Sequence, residues 1–189
     1  MGESQFPGYC LYLRNHLVAI DLSAVDCHEP IVKTLVWCDE AATQVFAATL
    51  ARRADIGHAF IALHGDLGAG KTTLVRHLLH ALGVQGRIKS PTYAVVEPYE
   101  LPGLDVWHFD FYRFADPREW EDAGFRDIFA SKGLKLAEWP EKAGAMLPTP
   151  DLDIALQTTS ESERTVTLTA RTAVGRALLV DAPTGTTVR

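Results

Sequence analysis

The chain alternates between short continuous apolar runs and longer segments in which apolar residues recur every three or four positions. A continuous run of about four to eight apolar residues indicates a buried strand, whereas the wider spacing indicates a helix with one buried face. AFIALHG (59–65) and LKLAEW (134–139) are therefore predicted as buried strands. Strands and helices that alternate along one chain are typical of an α/β domain.

Helix boundaries are predicted from capping residues. One helix begins after Asp39, whose carboxylate suits the free backbone amides of a first turn. A second helix covers 70–82 and is stopped by Gly83, because glycine readily adopts the left-handed conformation that ends helices. A third helix is predicted from an N-cap, a proline at the first helical position and a capping-box glutamate: Asp116, Pro117 and Glu119.

Two further pairs of apolar segments are predicted as strands. Segments 93–100 and 105–113 are separated by the turn sequence LPGL and are predicted to lie side by side. Segments 151–156 and 164–171 are predicted to form an antiparallel pair.

Composition indicates one globular core and excludes several classes of protein. A chain of 189 residues with 47% hydrophobic residues is long enough to bury a single core. The net charge is −6 and the charges are mixed, which argues against a basic face that grips nucleic acid directly. No apolar run reaches the roughly 20 residues of a membrane span, and the N-terminus lacks the pattern of a secretory signal. We therefore expect a cytoplasmic protein.

The segment GDLGAGKTT carries the most specific chemistry. It satisfies the pattern G-x-x-x-x-G-K-[ST], follows a predicted buried strand and opens a predicted helix. The glycines let successive backbone amides face one point, where the helix N-terminus adds partial positive charge. Lys71 supplies a full charge for the β- and γ-phosphates, and Thr72 offers a hydroxyl to Mg²⁺. The predicted phosphate-binding residues are those of the loop: Gly65, Asp66, Leu67, Gly68, Ala69, Gly70, Lys71 and Thr72.

Acidic residues at the ends of two predicted strands are candidates for holding the metal and the attacking water. Asp110 closes VWHFD and Glu138 closes LKLAE, and the C-terminal edge of a parallel strand lies beside such a loop. His108 shares a strand face with Asp110, and it either orients the water or is a core histidine. Arg113 and Arg126 either stabilise the charge of the γ-phosphate or form surface salt bridges.

ATP is the favoured nucleotide because the guanine-reading sequence N-K-x-D is absent. The loop is also compatible with a kinase of small molecules. Such enzymes usually carry an arginine-rich lid, and no arginine-dense segment follows residue 110. A third alternative is a binding module that retains a vestigial loop.

Four motifs, in order and at comparable spacing, resemble the bacterial TsaE family: GDLGAGKTT, KSPTYAVVEPYE, HFDFYRFADPREWEDAGFRD and AEWPEKAG. The resemblance runs from about Val36 to about Gln157. Members of that family are the ATPase component of the machinery that makes threonylcarbamoyladenosine in tRNAs. The resemblance implies slow, Mg²⁺-dependent ATP hydrolysis in a multi-subunit complex, with sugar-kinase-like subunits of the TsaD and TsaB type as partners and tRNA contacted indirectly.

The resemblance also implies roles for residues around the nucleotide. Lys71 and Thr72 match the phosphate lysine and the metal-binding threonine, and Thr73 lies next to the α-phosphate. Trp139 matches an aromatic residue close to the nucleotide. Thr43, in the first-helix segment, lies near the base.

The catalytic and metal residues follow from the same resemblance. Residues 90–92 match a switch-like loop in which Thr92 senses the γ-phosphate. Asp110 matches an acid needed for hydrolysis, and Glu138 matches a second contact to Mg²⁺. The predicted catalytic residues are Asp110, Lys71 and Thr92, and the predicted metal ligands are Thr72 and Glu138.

Together these observations predict an α/β P-loop NTPase fold. Its central sheet is mostly parallel, with antiparallel additions at the C-terminal edge and helices on both faces. The predicted domain covers 34–182, after an N-terminal extension of unknown role over 1–33 and before a disordered tail over 183–189.

Overall fold

The computed structural model describes residues 29–115, 120 and 123–180, and the strands of this part join in one sheet. They are β1 Ile31–Trp37, β2 Phe60–His64, β3 Val96–Leu101, β4 Leu104–Asp110, β5 Leu134–Glu138, β6 Leu152–Thr158 and β7 Arg164–Ala170. The α-helices described are α1 Glu40–Ala51, α2 Lys71–Leu82, α3 Phe125–Ala130, α4 Pro140–Ala143 and α5 Ala173–Leu178.

The strands lie in the order β1-β7-β6-β2-β5-β4-β3. The central strands β6, β2, β5 and β4 pair in parallel. β7 is antiparallel to both β6 and β1, so β1 runs in the direction of the central strands, and only β7 and β3 run against it. The predicted mostly parallel sheet is confirmed. Antiparallel pairs occur toward both edges, however: β7 pairs with β1 and β6 at one edge, and at the other the turn at 101–104 folds β3 back along β4.

Helices cover both faces of the sheet, as predicted. α1 and α2 pack on the face that carries Ile61 and Leu63 of β2, within the larger apolar core. α3 and α4 cover the opposite face, where Phe109, Phe111 and Phe125 belong to a second, mainly aromatic cluster. The two cores form because successive residues of each central strand point to opposite faces.

The predicted boundaries of the first two helices are confirmed. Asp39 caps α1 by accepting a hydrogen bond of 2.8 Å from the backbone amide of Ala42. α2 begins at Lys71 and ends before Gly83, which has a φ of 109°. The predicted buried strands form β2 and β5, and both predicted strand pairs, β3 with β4 and β6 with β7, are present.

Four described elements are not predicted from the pattern: β1, α3, α4 and α5. β1 pairs with β7 from Ile31, opposite Ala170, to Trp37, opposite Arg164. The strand therefore begins three residues before the predicted start of the domain. The helices span only four or six residues, too few for helical periodicity to become visible.

Several predictions fall outside the described residues. They are the helix start at Asp116, Pro117 and Glu119, the tail over 183–189 and residues 1–28 of the N-terminal extension. Within the residues that the structure describes, no helix is long and apolar enough to cross a membrane.

Candidate functional site

At the first position of the loop between β2 and α2, the backbone has a conformation and a close contact that only glycine can accommodate. Gly65 has a φ of 131°, and a Cβ built there would lie 2.3 Å from the carbonyl oxygen of Leu156. Gly70, the N-cap of α2, has a φ of 107°. Across the sheet, Arg164 of β7 donates a 3.0 Å hydrogen bond from Nε to the carbonyl oxygen of Ala69. The loop is thus held by its own backbone and by a distant arginine.

Lys71 is buried at the start of α2, with 4% of its surface exposed. Its ammonium donates to the carbonyl oxygens of Gly65 and, at 2.9 Å, of Asp66, and lies 3.9 Å from the centre of the Trp139 ring. Burial lowers the pKa of Lys71, and nearby carboxylates, led by Glu138, oppose that effect only in part. A buried cation is therefore presented at the helix N-terminus.

Trp139 owes its place over Lys71 to an unusual backbone. Its φ of 57° lies in the left-handed region, which bulky residues rarely adopt. The residue directly follows the last position of β5, and its backbone amide donates to the carbonyl oxygen of Leu63 on β2. Its ring also packs against Tyr112, at 5.0 Å between ring centres. Such conformations persist where the surroundings enforce them, commonly at functional sites.

The two predicted acids occupy neighbouring strands but have different partners. Asp110 and Glu138 lie opposite each other in the parallel pairing of β4 and β5. Glu138 is buried at 2% exposure, and its Oε2 accepts a 2.9 Å hydrogen bond from the hydroxyl of Thr72. Its Oε1 lies 2.9 Å from Nε2 of His108. The structure thus brings Glu138 to the residue predicted to bind the metal.

Asp110 instead holds the loop that contains residues 90–92. Its Oδ2 accepts hydrogen bonds from the hydroxyls of Ser90 and, at 2.6 Å, of Thr92. Its Oδ1 accepts a 2.9 Å hydrogen bond from the backbone amide of Tyr112. Both carboxylate oxygens of Asp110 are therefore occupied by hydrogen-bond donors.

These residues line one cleft of about 620 Å³, a size suited to a nucleotide-sized molecule. Its mouth carries Leu67 and Tyr93, which are 76% and 85% exposed. Arg113 lies over the Tyr93 ring at 4.5 Å from its centre. The full described lining is Leu67, Gly68, Gly70, Lys71, Thr72, Thr73, Ser90, Thr92, Tyr93, Asp110, Tyr112, Arg113, Glu138 and Trp139.

Some predicted residues lie outside this lining. Gly65 and Asp66 contribute carbonyl oxygens to Lys71 instead, and Ala69 is buried. Thr43 is buried on α1 and does not line the cleft, so its placement near a base stays a prediction. Arg126 lies exposed on α3, also away from the lining. Arg164, which holds the loop, carries no sequence signal because its partner is 95 positions away.

A second cavity, of about 350 Å³, is lined by Phe60 and Ala62 of β2, on the face of the sheet that carries the aromatic cluster. There Asp153 accepts hydrogen bonds from Nε2 of His64, at 2.8 Å, and from Nε of Arg171. Burial raises the pKa of Asp153, but the hydrogen bonds from His64 and Arg171, together with their charges, outweigh it, so the pKa is lowered overall. His64 also lies 3.5 Å from Glu141. The charged groups of this cavity thus pair with one another.

The comparisons with known proteins agree on one family. The family model described as "Threonylcarbamoyl adenosine biosynthesis protein TsaE" matches residues 37–166. The "tRNA threonylcarbamoyladenosine biosynthesis protein TsaE" of Haemophilus influenzae is 44% identical over 117 residues, 62% of this chain and 73% of that protein. The protein of the same name from Bacillus subtilis is 36% identical over 110 residues, 58% of this chain and 68% of that protein.

A solved structure shares the fold of this chain. The crystal structure of Bacillus subtilis YdiB matches with a TM-score of 0.68 and 26% identity, over 82% of this chain and 96% of that one. The family model and the named relatives confirm the resemblance carried by the four sequence motifs. The chain belongs to the TsaE family.

Proposed function

We propose that the protein binds ATP with Mg²⁺ in the 620 Å³ cleft and hydrolyses it slowly, in service of threonylcarbamoyladenosine synthesis on tRNA. The relatives carry that pathway in their names. The observation that carries the proposal is the 2.9 Å contact between Thr72 and Glu138, one residue from the buried Lys71. This contact places Glu138, an acid suited to bind a metal ion, beside the proposed phosphate-binding loop.

The phosphates bind at the start of α2. The backbone amides of the loop and the N-terminal end of the helix attract anionic oxygens. Lys71 exchanges its hydrogen bonds to the Gly65 and Asp66 carbonyls for bonds to phosphate oxygens. The ring of Trp139 keeps the ammonium shielded from water on its other side, which strengthens the attraction because the local dielectric is low.

Thr72 and Glu138 fit a magnesium ion because both present oxygen atoms, the ligands that Mg²⁺ prefers. Among the described residues, no group of three or more His, Cys, Asp or Glu is arranged to hold a metal ion. This agrees with Mg²⁺, which is usually held by one or two protein oxygens together with phosphates and waters. When bound, the ion neutralises charge on the phosphate oxygens.

Asp110 and Thr92 serve hydrolysis in this proposal. Asp110 fixes the 90–92 loop to the end of β4 through its Ser90 and Thr92 contacts. The Thr92 hydroxyl is thereby held in the cleft lining, where it senses the terminal phosphate. Asp110 thus acts by ordering the loop that faces the reacting end of the nucleotide.

The proposed partners are sugar-kinase-like subunits of the TsaD and TsaB type, which carry the transfer chemistry. The exposed Leu67 and Tyr93 at the cleft mouth favour a protein partner at that surface. The net charge of −6 favours tRNA binding through the partners and not through this chain.

The test is steady-state phosphate release by the lone protein, with and without the partner subunits. We expect slow release that the partners accelerate, since trans-acting groups raise phosphoryl-transfer rates by about 10³–10⁵ in other systems. A panel of small phosphate acceptors is assayed in parallel. Brisk release that the partners leave unchanged, or phosphate transfer to an acceptor, would support a self-sufficient enzyme or a kinase instead.

A further inference from the structure

His108 is a fully buried residue whose two ring nitrogens have very different surroundings. None of its surface is exposed. Nε2 lies 2.9 Å from Oε1 of Glu138, whereas Nδ1 has no hydrogen-bond partner among the described residues. Because a carboxylate accepts hydrogen bonds, the contact places a proton on Nε2. The imidazole therefore uses one nitrogen and leaves the other buried without a partner.

Burying an unpartnered polar atom is unfavourable, and a native structure that does so calls for an explanation. A leucine at this position would fill similar space between β4 and its neighbours without that cost. The feature that a leucine could not supply is the hydrogen bond to Glu138. The core-histidine alternative thus explains the burial of His108 but not its unpaired nitrogen.

The hydrogen bond from His108 acts on a carboxylate that is held at both oxygens. His108 reaches Oε1 of Glu138 from β4, while Thr72 reaches Oε2 from the start of α2. With Oε1 fixed by the imidazole, rotation of the carboxylate is restricted, and Oε2 stays directed toward Thr72. Partners of this kind orient metal ligands and raise their basicity.

We propose that His108 is a positioning residue for the metal site, acting through the hydrogen bond from Nε2 to Glu138. The proposal rests on the assignment of Glu138 as a contact of Mg²⁺ in the ATP complex. His108 touches neither the nucleotide nor the metal. It sets the orientation of the carboxylate that does.

Three substitutions separate this role from simple packing. His108→Gln keeps an N–H donor at about the position of Nε2. His108→Asn carries its amide at the level of Nδ1, too short to reach Glu138, and is the matched control. His108→Leu fills the space without any donor. ATP affinity is measured by calorimetry in Mg²⁺ and in excess EDTA, and thermal melting reports whether each variant is folded.

The readout is the ratio of the two ATP affinities. The Mg²⁺ gain is the ATP affinity in Mg²⁺ divided by the ATP affinity in EDTA. We expect this ratio to fall about 10- to 100-fold in His108→Leu and His108→Asn, the range typical for removal of such a partner. Their affinity in EDTA is expected to stay at the wild-type value. His108→Gln is expected to keep most of the gain. Replacement of Mg²⁺ by Mn²⁺, with the bound ion counted by electron spin resonance, gives a second measure of metal affinity.

Other outcomes overturn the proposal. An equal loss of affinity with and without Mg²⁺ would show that His108 only packs the core. An unchanged Mg²⁺ gain in the Asn variant, or a Gln variant that behaves like Asn, would show that the hydrogen bond is not the cause. If His108→Leu fails to fold, the comparison of Gln with Asn decides. Failure of the underlying function looks different, because the wild-type protein itself would then show no ATP binding or no Mg²⁺ gain.

Discussion

Replacing Lys71 with methionine removes the buried ammonium but keeps a side chain of similar length against Trp139. In the nucleotide complex the ammonium makes at least one charge-assisted hydrogen bond, worth about 1.5–3 kcal/mol. At about 1.4 kcal/mol for each factor of ten, its loss weakens ATP binding by at least roughly 10- to 150-fold. The substitution thus isolates the charge from the packing.

The same substitution is expected to change the fold very little. The carbonyl oxygens of Gly65 and Asp66 lose a donor, which destabilises the folded state. Removal of the amine also relieves the unfavourable burial that lowers its pKa. These effects oppose each other, so we expect the free energy of unfolding to change by about 1 kcal/mol or less.

Calorimetric titration with ATP and Mg²⁺ measures the affinity, and urea denaturation measures the stability. Lys132→Met is the matched control, because Lys132 is exposed and lies before β5, at the end of that strand away from Glu138. We expect wild-type affinity in the control and the stated loss in Lys71→Met. Wild-type affinity in a folded Lys71→Met variant would refute the assignment of the phosphate site.

Four further substitutions test the site, its support and the second cavity. Asp110→Asn is expected to keep ATP binding and to lower phosphate release on the order of 100-fold, the size typical of a misplacement of about 1 Å at the reacting centre. Glu138→Ala should instead abolish most of the Mg²⁺ gain in calorimetric affinity; equal loss of binding in both would show that the roles are divided wrongly. Gly65→Ala places a methyl group 2.3 Å from the Leu156 carbonyl oxygen, and its backbone strain alone costs about 1–3 kcal/mol; a wild-type urea midpoint would contradict the geometry of the loop. Asp153→Asn is expected to cost about 1–3 kcal/mol at pH 7. Because the folded-state pKa of Asp153 is lowered, its stabilisation is fully present above the unfolded pKa of about 3.9 and is lost as the pH falls through the folded value. The urea curves of wild type and variant should therefore converge as the pH falls below about 3.9; a constant difference would exclude the charged form as the cause.

The local sequence determines several parts of this protein because their causes lie within one segment. The glycines and the lysine of 65–72 predict a phosphate-binding loop because a strand precedes them and a helix follows. Asp39 and Gly83 set the ends of α1 and α2 through backbone hydrogen bonds within a few residues. The continuous apolar runs of β2 and β5 indicate burial on both faces.

The tertiary structure decides which partners the two acids contact. By strand pattern alone, Asp110 and Glu138 are equivalent, since each closes an apolar strand, and only the family resemblance predicts different roles for them. β5 pairs directly with β2, which leads into the loop, whereas β4 lies one strand farther away. Glu138 is therefore brought to Thr72, and Asp110 to the 90–92 loop. The strand order that separates them comes from long-range packing, which no local pattern encodes.

Long-range packing also explains why the contacts of two further residues are visible only in three dimensions. Arg164 reaches the loop between β2 and α2 because β7 lies beside β6, and β6 lies beside β2. His108 could be read from the sequence either as a group that orients water or as a core residue. Only the pairing of β4 with β5 shows its bond to Glu138. A segment encodes its own turns and periodicity, but contacts between distant segments exist only once the sheet has formed.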